Sequence, residues 1–359
     1  MSWRNGTVFG AAFFGIRDGW VRRPLPARQR AVYDPRTEDD PRVSATANDA
    51  AWPALPYAAW QDTYATLHLW TQIVGKVRLK LTPWLNHSWH VTLYVTARGL
   101  GTGPMALDGS DLSIDFDFID HVLLLRTSDG QLRRIMLRPV TVADFYAEVM
   151  AALADLGAAV RIDEMPNEIA GALRFGEDRV HAAYDRDFAN RHFRVLASTR
   201  RVFAEFRTGF LGKASPVHFF WGSFDLAVTR FSGRSAPLLT ASSTPGLPLA
   251  VAREAYSHEV SSAGFWPGGG PIDYPAYYSY AYPEPQGFAA AKVRPAAAFY
   301  FADYGQFILP YEAVRTASEP EAQLMEFLQS TYAAAADLGK WDRHALECAL
   351  GEKGKVRAT

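Results

Sequence analysis

The sequence predicts an α+β fold of two similar αββββα halves, an internal duplication, each half an antiparallel sheet backed by helices. Three observations predict it. Apolar residues recur at steps of three, four and seven over two long stretches, and each stretch leads into a β-branched, aromatic run. Each unit then closes on a hairpin and a helix ending in the same letters, Ala154-Asp155-Leu156-Gly157 and Ala336-Asp337-Leu338-Gly339. The 359 residues are 48% hydrophobic and 21% charged, enough apolar material for one or two cores, which excludes a disordered or collagen-like class.

In the first half, Trp60, Tyr64, Leu67, Val74, Val77 and Leu81 define a helix from about Ala58 to Leu81, with Leu69, Trp70 and Ile73 on a second face. It reads as buried on both sides and stops at Pro83. Ser88 to Gly99 reads as a strand, and Ile114, Phe116 and Phe118 alternate with Ser113, Asp115 and Asp117 as the next one. Val122 to Arg126 and Leu132 to Leu137 flank Asp129-Gly130, a hairpin turn. Thr141 and Asp144 form a capping box for a helix that ends at Gly157.

The order returns in the second half. Asp187 to Leu211 is helical, Val217 to Phe231 reads as one long strand, Tyr277 to Tyr282 and Ala297 to Ala302 as two more. A turn at Asp303 to Gln306 leads to a strand at Phe307 to Leu309, and Ser318 with Glu321 predicts a capped helix ending at Gly339. Matched positions are offset by 133 residues at Val95 and Val228 and by 175 at Gly130 and Gly305, so the second copy carries 175 less 133, or 42, extra residues. The expected organisation is an Arg- and Pro-rich arm over 1–50, a first half over 51–165, a second half over 166–345 with an inserted aromatic Gly/Pro loop at 232–287, and a tail over 346–359.

Lys plus Arg number 37 against 38 Asp plus Glu, which gives no electrostatic reason for nucleic-acid or membrane-surface binding. No run reaches the roughly 18 apolar residues of a membrane helix. Val8 to Ile16 follows Arg4 but lacks a cleavage pattern, so it reads as an apolar docking patch rather than a signal peptide, and the expectation is a soluble, cytoplasmic protein. The one cysteine, Cys348, has no partner for a disulfide.

Function is expected in the extra segment. Glu254 to Gly287 holds eight aromatics, five glycines, five prolines and four acids with no lysine or arginine. Rings and carboxylates without positive charge suit a small-molecule ligand such as a polyol, a sugar or a cation. Within it, Tyr256-Ser257-His258-Glu259 is the densest set of protonatable groups. The expected site has His258 as acid or base, Glu259 or Asp225 orienting it, and His218 assisting, with Tyr256, Trp221, Trp266, Tyr280 and Asp225 shaping the pocket and acid–base or hydrolytic chemistry inside. On an unbroken strand His218 and Asp225 face opposite sides, so their meeting requires a bulge, for which Gly222 is the place. The competing expectation is a non-catalytic interaction module that presents the tyrosines as a contact surface. His87, His90, Asp115, Asp117, Asp120 and His121 contain metal-ligand types, but their spacing on strands separates them and a solvated sheet face reads more simply. No cofactor fingerprint is present: Gly268-Gly269-Gly270 is bracketed by prolines and opens no helix.

Four longer motifs, Leu67 to Leu81 (LHLWTQIVGKVRLKL), Asn86 to Leu100 (NHSWHVTLYVTARGL), Ser257 to Gly268 (SHEVSSAGFWPG) and Phe307 to Arg315 (FILPYEAVR), resemble a bacterial family of unknown function. The likeness spans about Trp52 to Trp341 and leaves residues 1 to about 48 outside. It implies no activity, substrate or cofactor.

Overall fold

The computed structural model describes residues 50–242 and 247–357. The arm expected over 1–50, with its Val8 to Ile16 patch, lies almost wholly outside them.

Helix α1 (Tyr57–Leu81) is buried without a break from Thr66 to Arg78, as a helix apolar on two faces must be. Trp70 stacks on Phe145 of α2 (Val142–Asp155), ring centroids 4.3 Å apart. The polar residues of α1 do not meet water but hold the long connection after α2. Thr66 and Thr63 accept the amides of Ala183 and Asp185 at 3.1 and 2.9 Å. Gln72 clamps Asn167 from both sides, its Oε1 accepting the Asn167 amide at 2.7 Å and its Nε2 donating to the Asn167 carbonyl at 2.9 Å. Lys76 donates to the Met165 carbonyl at 2.5 Å. These bonds fix a segment that has almost no secondary structure of its own.

Two antiparallel sheets of six strands each follow. The first holds β1 (Tyr94–Val95), β2 (Gly99–Gly101), β3 (Met105–Leu107), β4 (Ser110–Asp117), β5 (Val122–Thr127) and β6 (Leu132–Met136), ordered β1-β2-β4-β5-β6 with β3 beside β4. The β5–β6 hairpin turns through Gly130 at φ 93°, a conformation that favours glycine. Thr141 caps α2 by accepting the Asp144 amide at 3.0 Å. Asp185 caps α3 (Arg186–Thr208) in the same way. The second sheet holds β7 (His218–Phe220), β8 (Asp225–Ser235), β9 (His258–Trp266), β10 (Ala276–Tyr282), β11 (Phe299–Phe301) and β12 (Gln306–Pro310), ordered β11-β12-β10-β9-β8-β7. Helix α4 (Leu249–Ala255) precedes β9, and α5 (Tyr311–Arg315), α6 (Pro320–Leu338) and α7 (Arg343–Leu346) follow β12. Helices α3 and α6 cover one face of the second sheet, burying Leu226, Val228, Phe265, Tyr277 and Leu309. The two sheets meet edge to edge, where Leu93 and Phe219 exchange backbone hydrogen bonds of 2.9 and 2.8 Å.

The α+β class holds, and four local expectations are corrected. Residues 88–99 are not one strand: a 3-10 turn at Asn86–Ser88 leaves only the two-residue β1, because His87 and Ser88 are left-handed at φ 56° and 57°. Val217 to Phe231 is a hairpin, reversed at Trp221 to Phe224 with Phe224 at φ 58°. The segment 232–287 is not a loop; β9 and β10 occupy the centre of the sheet and pair over seven residues. Helix α6 starts with Pro320 at its first position and no side-chain cap, so Ser318 does not cap it. The halves also differ in strand order: β12 pairs with β10 and leaves β11 at the edge, whereas β5 and β6 follow β4 in turn. The connection over 283–298 carries the chain past the place of β12 before the hairpin returns.

Candidate functional site

The open face of the second sheet is set by register. Partners Ala227, Gly264 and Tyr278 form one row, Thr229, Ser262 and Tyr280 the next, and Phe231, Val260 and Tyr282 the third. Small residues therefore occupy the middle of β8 and β9, while rings stand at the flanks. The result is a hollow of about 600 Å³ floored by Ala227, Thr229 and Ser262. Its walls come from the end of α1, from residues 84–91, from the Gln72-clamped segment around Glu168, and from α4. A volume of this size falls within the range of pockets that take drug-sized molecules.

Two close approaches without a side chain shape the floor. A Cβ at Gly264 would meet the Tyr278 hydroxyl at 2.2 Å, so glycine lets that ring lie across β9 and donate to Asp225 Oδ2 at 2.5 Å. A Cβ at Gly222 would meet Glu168 Oε1 at 2.1 Å, so glycine admits the Glu168 carboxyl against the β7–β8 turn. The Gly222 carbonyl accepts from His68 Nε2 at 2.8 Å.

Glu168 is the group the sequence did not disclose. Its backbone is left-handed at φ 63°, held by the bonds from Gln72 to its neighbour. Its Oε2 is buried with no hydrogen-bond partner among the described residues. Burial, and then the charge of Asp225, push its carboxyl up to about 8. Asp225 is itself raised to about 7 by burial, against the opposing hydrogen bonds of Ser223 and Tyr278. Of the six described non-glycine residues at positive φ, His87, Ser88 and Glu168 all line the hollow. Such backbone is costly and clusters where side chains must be aimed.

His218, Trp221, Tyr256 and Tyr280, four of the residues expected from the sequence, line the hollow. His218 is 1% exposed, and neither ring nitrogen has a hydrogen-bond partner among the described residues. Burial, opposed by its own backbone and reinforced by the charge of Arg207, lowers it to about 4, so it is a neutral imidazole. Trp221 packs where Gly75 leaves room on α1 and donates to the Val91 carbonyl at 2.7 Å. The Tyr256 and Tyr280 hydroxyls lie 3.2 Å apart. The turn at 221–224 places Asp225 opposite Phe220, and hence on the same face as His218, without the bulge. Asp225 lies just behind the lining, under Tyr278.

Other expected residues lie elsewhere. His258 is two residues before Val260 on β9 and outside the lining, bonded to Ser257 Oγ at 3.0 Å, its ring 6.3 Å from that of His87, which does line the hollow. Glu259 does not orient it: adjacent strand residues face opposite ways, and Glu259 pairs with Arg234 at 2.6 Å, which also binds the carbonyls that end α6. Trp266 lines a second, smaller chamber of about 100 Å³ that shares Glu168, Gly222 and Ser223 with the main hollow. His87 bonds the Ala255 carbonyl and His90 the Leu85 carbonyl, so they do not converge. Among the described residues no cluster of three His, Cys, Asp or Glu is placed to hold a metal, and no helix is long and apolar enough to cross a membrane.

A family of unknown function, DUF5996, matches residues 52–348. No curated protein and no solved structure matches the chain significantly.

Proposed function

Because the chain belongs to this family of unknown function, we propose from the site alone that it binds a small molecule in the hollow over β8 and β9, with Glu168 as the acid–base group and His218 in the same lining. One observation carries the reading. Glu168 Oε2 and both nitrogens of His218 are buried in the lining of one 600 Å³ cleft without hydrogen-bond partners among the described residues. Each unmade hydrogen bond of this kind costs about 1–3 kcal/mol, so native proteins keep few of them. A bound molecule would complete them.

The acid–base assignment moves from His258 and Glu259 to Glu168 and Asp225. A carboxyl held protonated near neutral pH donates a proton or a hydrogen bond, and a second carboxyl close enough to shift it can take up the charge it releases. The interaction-module reading needs exposed tyrosines, whereas Tyr277, Tyr278, Tyr280 and Tyr282 are all buried. A small-molecule library scored by thermal shift tests the proposal against Ala227→Leu, which fills the floor. Ligands that stabilise the wild type should lose their shift in the variant. Equal shifts in both proteins, or no stabilising ligand, would sink it.

A further inference from the structure

We infer that the molecule recognised in this cleft is an organic cation, an amine or guanidinium on an apolar body, with its charged head against Glu168 and His218. This rests on the cleft being a binding site and goes further by naming the ligand's chemistry.

Neither Glu168 nor Asp225 is in an ion pair among the described residues, and the charge that acts on Glu168 is that of Asp225. The nearest lysine of the wall, Lys76, is committed to the Met165 carbonyl and to Asp163 at 3.5 Å. His218, being neutral, offers a lone pair as well as one N–H. Thr229 and Ser262 share one hydrogen bond of 2.8 Å, which leaves one hydroxyl proton for another acceptor. Among the buried atoms without a hydrogen-bond partner in the described residues, Glu168 Oε2 can accept and His218 offers a lone pair, a set that an ammonium or guanidinium complements, while Arg161, which also lines the cleft, is exposed to solvent.

Charge at the other end points the same way. The Lys213 ammonium lies 5.5 Å over the Trp89 ring and 4.8 Å over Phe231, and bonds His87 Nε2 at 2.6 Å. Phe231 is six residues along β8 from Asp225, about 20 Å at 3.3 Å per residue. That end already carries a cation, so an incoming one is directed to the acids. Lys80 is eight residues beyond Gln72 on α1, about 12 Å at 1.5 Å per residue, further than a Debye length at physiological salt. Its exposed charge is screened from the Glu168 end. The rings of Phe220 and Trp221 beside that end provide the apolar contact.

The test uses benzylamine, benzamidine, benzyl alcohol and benzoate on the full chain, with binding read by tryptophan fluorescence and calorimetry. The two cations should bind at least about tenfold tighter than benzyl alcohol, and benzoate should be weakest. Cation binding near neutral pH should release roughly one proton as Glu168 ionises, seen as a dependence of the measured heat on buffer ionisation enthalpy. Glu168→Gln should abolish the preference and the proton release while benzyl alcohol still binds. Ala227→Leu should abolish all binding. If benzyl alcohol or benzoate equals the amines, and Ala227→Leu removes that binding, the cation inference falls and the cleft stands. If no probe binds, or binding persists in Ala227→Leu, both fall.

Discussion

Replacing Glu168 by glutamine should stabilise the protein, increasingly so as pH rises. Glutamine copies the protonated carboxyl in shape and cannot ionise. In the unfolded chain a glutamate releases its proton near 4.5, whereas the folded state holds this one to about 8. Below about pH 4.5 both states are protonated and the group is neutral to stability. Between the two values folding must take up a proton, so stability falls as pH rises, and above about 8 the loss is constant. Each unit of difference is worth about 1.4 kcal/mol, so the shift corresponds to about 3 kcal/mol at pH 7. Part of that shift is repulsion from Asp225, which is itself partly neutral there, and about 2 kcal/mol is the expected gain. Urea denaturation of both proteins between about pH 4.5 and 8.5 measures it. The variant should match wild type at the acid end and exceed it at the alkaline end. A difference that stays flat within about 0.5 kcal/mol would refute the claim that Glu168 is folded as a neutral, unpaired acid.

Other outcomes follow from the same geometry. Gln72→Ala removes both bonds to Asn167 and should cost about 2–4 kcal/mol in urea, with faster hydrogen exchange at the Asn167 amide. Gly264→Ala places a methyl against the Tyr278 hydroxyl, expelling that ring from Asp225 at a cost of about 1–3 kcal/mol, measurable by thermal unfolding. His258→Ala should leave the affinity of any cleft ligand within about twofold, since His258 is not part of the lining; a tenfold loss would place His258 in the site. Glu259→Gln breaks a half-exposed pair and should cost under about 1 kcal/mol, shrinking further in high salt.

What the sequence disclosed is what repeats locally. The α1 period, the Asp129-Gly130 hairpin and the Thr141 cap depend on neighbours a few residues away, and each is present. The α6 cap failed because Pro320 fixed the start of the helix one step later than Ser318 required. The 217–231 run looked continuous because the residues of its turn, Trp221 to Phe224, are as apolar and aromatic as the strands around it. That reversal then decided that His218 and Asp225 share a face, which no count along an unbroken strand could yield. Glu168 was invisible for another reason. It is a polar residue in a polar connection, and what makes it unusual is a helix residue 95 positions earlier gripping Asn167. Tyr256 and Tyr280 were legible as rings near acids, although the segment that carries Tyr280 is the centre of a sheet rather than a loop.

The seam at Leu93 and Phe219 ties the two sheets into one mechanical object. Strand β7 carries His218 on its open side and, through Phe219, is sewn to the first sheet, so the first sheet braces the cleft from which it is otherwise remote. Cut between the halves, each piece would bear a raw edge where the other had been, and the hollow would lose its buttress. The N-terminal half is thus a foundation for the site, and neither piece on its own would reproduce it.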